Sequence, residues 1–354
     1  MKKLRVAIIG CGSIANGSHI PNYLKNENVE VKYFCDIIPE RANAAVEKYG
    51  CGKAVYDYKE IVNNDDIDAV SVCTHNDFHS IISIEFMKAG KDVLCEKPAA
   101  RTLPEALEMQ KVAKEEDKIL SIGVVNRFHD SVNRIKKMIE RGDLGEVFHV
   151  YASFRAHRSI PGLGGDFTKK ACSGGGALID WGVHYLDLIM YCCGDPKPLT
   201  ASGQAFCKLG KDMKNYAYTH MWAEDSADIE NGTYDVDDSV TGIIRTEGPT
   251  ISFNGAWAQN IGVKETYIDF MGDKGGVRLD YCGYFRFYTV RDGDLVEENH
   301  DFRMDDFYKT EIDSFVDACF THTPNRATID RAVLTSKIMD GIYRSSDEKR
   351  EVTL

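Results

Sequence analysis

The sequence predicts an α/β chain that opens on a doubly wound parallel sheet and continues into an α+β domain built on a large, mostly antiparallel sheet. Three observations predict it. Over the first 125 residues or so, short apolar runs alternate with longer helical stretches. The first of those runs ends in a glycine-rich turn, VAIIGCGSIA at residues 6–15. From Leu199 to Val290, by contrast, strand-like runs follow one another with few helices between them. A length of 354 residues allows about two domains, which the change of pattern places at 1–125 and 126–354.

In chain order, the first strands are Val6–Ile9, Val29–Cys35, Ala69–Cys73, Asp92–Cys95 and Ile119–Ile122. Helical stretches such as His79–Ala89 and Leu103–Asp117 separate them. Ser131–Arg141 reads as a helix closed by Gly142, Val147–Phe154 as a strand and Gly176–Cys193 as one long helix. The succeeding strands are Ser239–Thr246, Ile251–Trp257, Tyr267–Gly272, Val277–Asp280 and Phe285–Arg291. Two helices, Asp306–Phe320 and Ile329–Arg344, end the chain. Lys208–Gly232 carries no clear pattern, and no repeat, low-complexity stretch or linker stands out.

A net charge of −12 disfavours nucleic acid and anionic membrane as partners. The apolar run after Met1-Lys2-Lys3 is broken by Gly10 and Gly12, so a signal peptide is not expected, nor is a membrane span. The eleven cysteines include no C-x-x-C pair. Cys11, Cys35, Cys73, Cys95 and Cys207 lie in or beside apolar runs, where a reduced thiol packs as a small hydrophobe. A cytoplasmic protein is the expectation.

Gly10, Gly12 and Ala15 have the G-x-G-x-x-A spacing of a dinucleotide fingerprint. Gly10 permits the tight turn, Gly12 admits a pyrophosphate to the backbone, and Ala15 keeps the next helix close to the strand. The free N–H groups at the start of that helix favour an anion. The second strand ends at Asp36, at the distance where an acid accepts from the ribose hydroxyls. Ile37 and Ile38 follow, leaving no arginine beside it for a 2′-phosphate, so NAD is favoured over NADP. The alternative is a turn aspartate that helps cap the next helix, with Arg41 as its surface partner.

Further segments are SVCTHNDFHS, AGKDVLCEKPAA, GVVNRF, RGDLGEV and SGGGALIDWGVHYLDLI. Together with the fingerprint they resemble the glucose–fructose oxidoreductase and inositol dehydrogenase (Gfo/Idh/MocA) family, from Val6 to the terminal helices. His75 stands where that family usually has proline. The resemblance implies an N-terminal Rossmann domain, an open-sheet C-terminal domain that pairs into a homodimer or homotetramer, and NAD(P)-linked chemistry on sugars, inositols or related polyols. The cofactor set is then Gly10, Gly12, Ser13, Ile14 and Ala15 of the fingerprint, Asp36 and Arg41 at the ribose end, Thr74, Asn76 and His79 after the third predicted strand, and Glu96 and Lys97. The resemblance gives Lys97 the reacting hydroxyl, whose developing alkoxide an ammonium stabilises, and Glu96 a contact near the nicotinamide ribose. Substrate contacts fall on Arg127, His157, Lys170, Asp180 and His184.

Asp180 and His184 are four residues apart in one predicted helix and share a face beside the apolar stripe of Ile179, Val183, Leu186 and Met190. Oxidising an alcohol needs a base for the hydroxyl proton, a task that suits histidine near neutral pH. Asp180 can orient that imidazole, bind a substrate hydroxyl, or both. Asp187, one turn on, reads as structural. The bland reading of the pair is a core-edge histidine satisfied by a carboxylate.

No metal is expected: His75 and His79 lack a third ligand nearby, and Asp235-Val236-Asp237-Asp238 lacks the calcium-loop pattern and reads as a solvated strand start. Gly174-Gly175-Gly176 lacks the G-K-[ST] ending of a phosphate loop and reads as a turn for close approach of substrate. Trp257 reads as core packing rather than a sugar platform. Two rival functions remain open: an NAD-dependent redox-assisted glycosidase, marked by turnover without net NADH, and a non-catalytic NAD- or sugar-binding regulator, which would have lost Lys97, Asp180 or His184.

Overall fold

The computed structural model describes residues 3–354; Met1 and Lys2, part of the segment weighed above as a leader, lie outside the described residues. The chain forms two compact units. One extends to Phe128 and includes Asp305–Val333; the other comprises His129–Met304 and Leu334–Leu354. Among the described residues no helix is long and apolar enough to cross a membrane.

In the first unit, strands β1 (Leu4–Ile9), β2 (Val29–Cys35), β3 (Lys53–Val55), β4 (Ala69–Val72), β5 (Asp92–Glu96) and β6 (Leu120–Gly123) make one six-stranded sheet in the order β3-β2-β1-β4-β5-β6. Each neighbouring pair is parallel. Strand order reverses beside β1, which puts a ligand crevice at the carboxyl ends of β1 and β4. β4 is buried along its whole length, which is why it reads as a continuous apolar run rather than an alternating one. β3, only three residues long, left no periodic signal to find.

Helices α1 (Ile20–Lys25), α2 (Pro39–Tyr49), α3 (Asn76–Lys88) and α4 (Leu103–Glu115) connect these strands. α4 begins with a full capping box: the Thr102 side chain accepts from the Glu105 N–H, and the Glu105 carboxylate accepts from the Thr102 N–H. α3 begins at Asn76, three residues before the expected start, so His79 falls inside its first turn. A widened π-helical turn, Ala15–His19, precedes α1.

The second unit opens with α5 (Asp130–Arg141), ended at Gly142 as expected, and β7 (Val147–Arg155). After α6 (Lys170–Ser173) the expected long helix divides into a π-helical turn, Leu178–Gly182, and α7 (Val183–Cys192). Anchors outside the helix hold the wide turn: the Asp237 carboxylate accepts from the N–H groups of Gly176 (2.8 Å) and Leu178 (3.0 Å). β8 (Pro198–Phe206), β9 (Ser239–Thr246), β10 (Thr250–Ala256), β11 (Glu265–Gly272), β12 (Gly275–Asp280), β13 (Phe285–Arg291), β14 (Asp294–Asn299) and β15 (Val352–Thr353) join β7 in a nine-stranded sheet. Its order is β14-β13-β12-β11-β7-β10-β9-β8-β15, antiparallel except between β10 and β7. One face packs Val150, Phe154 and Phe253 against Ile135, Leu186 and Ile189 of the helices. The other carries a Tyr151–Tyr267 ring contact and an Asp269–Arg278 ion pair. Residues 208–232, unreadable in the sequence, are loops with short turns; Tyr216 and Met221 close a small core with Ile160, Leu163 and Trp257.

The division expected at residue 125 put all later residues in one domain. The structure instead assigns Asp305–Val333 to the first unit, and the reason is apolar burial. Ile312, Phe315 and Val316 of α8 (Phe307–Thr321) share a core with Val6, Ile8 and Tyr23. The Ile122 N–H donates to the Ala327 carbonyl at 2.8 Å, extending the sheet edge just ahead of α9 (Ile329–Glu348).

Candidate active site

The fingerprint turn shows why two of its positions are glycine. Gly10 has φ +92°, and a Cβ there would lie 2.5 Å from the Cys73 carbonyl oxygen at the end of β4. A Cβ on Gly12 would meet nothing within 4 Å, so that position is open for a ligand to reach the backbone. Ser13 is exposed, Ile14 half-buried and Ala15 buried where the helix starts. These features fit a pyrophosphate seated on the turn.

Asp36 is buried at the end of β2. One carboxylate oxygen accepts from the Cys11 N–H at 2.9 Å and the other from the Ile38 N–H at 2.9 Å. It therefore ties the fingerprint turn to the second crossover, and each oxygen keeps a lone pair for a ribose hydroxyl. The residue that caps α2 is Ile38, not Asp36, and Arg41 is exposed on the first turn of that helix. Thr74 and Asn76, both half-buried, stand at the end of β4 and the start of α3.

Glu96 ends β5, and its carboxylate lies inside the unit. Its Oε1 faces His19 Nε2 at 2.8 Å, and its Oε2 accepts from the Lys97 N–H at 3.0 Å. His19 Nδ1 in turn faces Ser71 Oγ at 2.7 Å. Both Glu96 oxygens thus already serve protein groups, so a contact with the nicotinamide ribose would have to use their remaining lone pairs. Burial alone would raise the Glu96 carboxyl, but His19 and the Lys97 ammonium outweigh it and hold it below the ordinary range. Burial opposes the His19 cation, yet Cys73 and Glu96 raise the ring well above its ordinary value. Lys97 is half-buried and the Lys97–Pro98 peptide is cis.

His79, expected at the cofactor, is buried, with Nδ1 at 2.8 Å from the Pro98 carbonyl and Nε2 at 3.0 Å from that of Thr74. It links the loops after β4 and β5 and has no nitrogen to offer a ligand. Arg127 is 0% exposed and its Nη1 donates to the Arg326 carbonyl at 3.2 Å. Its expected substrate contact is set aside, because a fully enclosed guanidinium cannot meet substrate.

In the second unit Asp180 is buried in the π-helical turn and His184 is half-buried one turn on, in α7. Trp257 is 0% exposed, and its indole N–H donates to Asp180 Oδ2 at 3.1 Å. Trp257 is therefore neither a sugar platform nor mere filling; it holds the aspartate. Asp187 is buried and accepts from the Thr335 hydroxyl at 3.4 Å. His157 is half-buried and Lys170 exposed, its backbone N–H bonded to Asp235 at 2.6 Å.

Two readings of neighbouring loops change. A Cβ on Gly175 would lie 2.1 Å from the Tyr343 hydroxyl, and one on Gly176 1.9 Å from the Asp237 carbonyl. The glycines thus admit protein, not substrate. Asp237 and Asp238, expected to be solvated, are buried. Asp238 Oδ2 accepts from the N–H groups of Lys208, Leu209 and Gly210, a carboxylate spent on orphan loop donors. Among the described residues no group of three or more His, Cys, Asp or Glu could hold a metal ion.

Two residues at these sites were missed in the sequence, and Trp257, read there as packing, gave no signal of its partner 77 residues away. His19 could have been noticed as a lone ring in the first helix, and Glu311 as a carboxylate on the same stripe as Ile312, Phe315 and Val316.

Residues 4–124 match an oxidoreductase family with an NAD-binding Rossmann fold, and residues 132–278 match the GFO/IDH/MocA C-terminal domain. The chain is 29% identical to D-glucoside 3-dehydrogenase of Escherichia coli (strain K12), over 99% of this chain and 97% of that protein. It is 26% identical to inositol 2-dehydrogenase of Rhizobium meliloti (strain 1021), over 99% of each. In fold it resembles the apo form of levoglucosan dehydrogenase, with a TM-score of 0.87 at 20% identity over 100% of this chain and 99% of that one. The chain belongs to the GFO/IDH/MocA family of oxidoreductases and is an NAD(P)-dependent dehydrogenase acting on CH–OH groups.

Proposed function

We propose that this enzyme oxidises a hydroxyl-bearing carbon of a sugar, an inositol or a related polyol, with NAD in preference to NADP. The observation that carries the reading is the near full-length similarity to a glucoside dehydrogenase, joined to the presence of Lys97, Asp180 and His184. The bound dinucleotide supplies the hydride acceptor. Lys97 donates to the reacting hydroxyl and stabilises its developing negative charge, while His184 takes its proton. Asp180, held by Trp257, orients the imidazole or a substrate hydroxyl. His157 and Lys170 serve as further substrate contacts. Asp36 supports the choice of NAD, because a 2′-phosphate would meet its carboxylate.

The outer face of the nine-stranded sheet, with Tyr151, Tyr267 and Arg278, supports pairing of subunits into a homodimer or homotetramer. Thiols without disulfides at Cys11, Cys35, Cys73, Cys95 and Cys207 support a cytoplasmic location. The redox-assisted glycosidase reading has no support in the relatives named above, which are dehydrogenases.

The test is NADH formation with a panel of aldoses, inositols and glycosides, repeated with Lys97→Ala and His184→Ala. Each variant should lose about 10²–10⁴ in turnover with NAD affinity kept. Near-normal turnover of His184→Ala across the neutral pH range would refute the base assignment. Release of free sugar from a glycoside without net NADH would refute the dehydrogenase reading of the substrate.

A further inference from the structure

Beneath the Lys97 turn lies a group of ionisable side chains that the proposed reaction does not use. His19 is 0% exposed and belongs to the π-helical turn that directly follows the fingerprint. One ring nitrogen meets Ser71 on β4 at 2.7 Å, and the other meets Glu96 at the end of β5 at 2.8 Å. Glu96 then accepts from the Lys97 N–H at 3.0 Å. The Tyr23 hydroxyl of α1 also donates to Ser71 Oγ, at 3.4 Å. A continuous hydrogen-bonded path therefore runs from the π-helical turn after the fingerprint to the backbone of Lys97.

The other groups around the ring are Cys73, at the end of β4, and Glu311, on α8. Glu311 is 1% exposed, and among the described residues neither carboxyl oxygen has a hydrogen-bond partner. An enclosed carboxylate without partners is strongly disfavoured, and burial pushes the Glu311 carboxyl well above its ordinary range, toward the neutral acid. In that form it does not compete with Glu96 for the ring.

Packing alone does not explain this group. The strands around it are parallel and buried, an environment that apolar side chains fill at lower cost. Replacing buried ionic groups by well-packed apolar ones is often neutral or stabilising, whereas removing a single partner is costly. Buried groups of this kind make sense where a fixed orientation is worth that cost. Widened π-turns, moreover, recur at functional sites.

We propose that His19 is a positioning residue for Lys97: it fixes the Glu96 carboxylate, and through it the lysine's turn, in register with the cofactor fingerprint. The proposal rests on the assignment of Lys97 to the reacting hydroxyl. Displacing a reacting group by about 1 Å costs on the order of 10²-fold in rate, so a loosened turn should be read in turnover before it is read in binding.

The experiment compares His19→Met, His19→Gln, Ser71→Ala and Lys97→Ala in the full chain. It measures kcat and KM with a substrate from the panel, NAD affinity by fluorescence titration, and the unfolding midpoint. His19→Met should lower kcat by about 10- to 100-fold, with KM and NAD affinity within about twofold. His19→Gln, whose amide can still donate to Glu96, should recover most of that loss. Ser71→Ala releases only the far side of the ring; it should lower kcat less, in the same direction, and it serves if His19→Met does not fold. Normal kcat in folded His19→Met, or in Ser71→Ala where His19→Met does not fold, beside an inactive Lys97→Ala overturns this proposal alone. Full activity in Lys97→Ala overturns the assignment of the lysine and this proposal with it. Equal losses in His19→Met and His19→Gln that track only the unfolding midpoint show a purely structural role and also overturn it.

Discussion

Both oxygens of Asp36 already accept a backbone N–H, from Cys11 and Ile38, so the carboxylate proposed to choose the cofactor also holds the geometry of the turn. Asp36→Ala should narrow the preference for NAD over NADP and also weaken NAD itself, because the fingerprint turn loses its tether. Asp36→Asn, which keeps one acceptor, should weaken NAD less. Titration of each variant with both dinucleotides checks this; tighter NADP than NAD binding by the unmodified enzyme would sink it. Glu311 makes a separate prediction, about stability. Burial lifts its carboxyl well above the ordinary 4.5, the charge of Glu96 adds to the rise and His19 opposes it. The folded value thus exceeds the unfolded one. The stability linked to this proton is complete below about pH 4.5 and falls as pH rises toward the folded value. Glu311→Gln carries no such proton. Its urea midpoint should gain on the unmodified protein as pH climbs from about 4 to neutrality. A difference that does not change with pH would show that Glu311 is not a neutral acid.

At the scale of the element, β1, its turn and the helix that follows separate folding from binding within three residues. Gly10 has φ +92° and backbone pressed against Cys73, whereas a Cβ on Gly12 meets only open space. Gly10→Ala should therefore destabilise the protein by at least about 1–3 kcal/mol. Gly12→Ala should leave the denaturation midpoint in place and weaken NAD by about tenfold or more, since its methyl takes the space a pyrophosphate needs. Equal destabilisation by the two substitutions would refute the distinction. Gly175 and Gly176, before the π-helical turn, are of the first kind, packed on Tyr343 and Asp237.

For the whole molecule, a net charge of −12 keeps copies apart at long range, so pairing of subunits must come from a matched surface. The outer sheet face is not a broad apolar surface. It mixes Tyr151 and Tyr267 with the Asp269–Arg278 pair, and exposes Val290 and Leu295 toward one edge. Tyrosine and arginine with few lysines describe an interface better than a solvated face. Light scattering at micromolar concentration should give the mass of a dimer or tetramer, and Tyr267→Asp should shift it toward the monomer. A monomer mass for the unmodified chain would refute the pairing.

Periodicity and turn chemistry in the sequence determined the two-part architecture, most strand and helix positions and the cofactor fingerprint, because those signals are local. A parallel strand must be apolar throughout, and a turn against Cys73 must be glycine, whatever else surrounds them. Four residues of spacing likewise brought Asp180 and His184 onto neighbouring turns. Partner choice was beyond the sequence. Nothing near Glu96 in the chain names His19 as its partner, nothing near Asp180 names Trp257, and Arg127 looks like a substrate ligand until its burial is known. The return of Asp305–Val333 to the first unit was hidden for the same reason. A buried polar group takes whichever partner the fold brings within hydrogen-bond reach. An apolar stripe likewise shows that it will be covered, and only the tertiary structure decides by what.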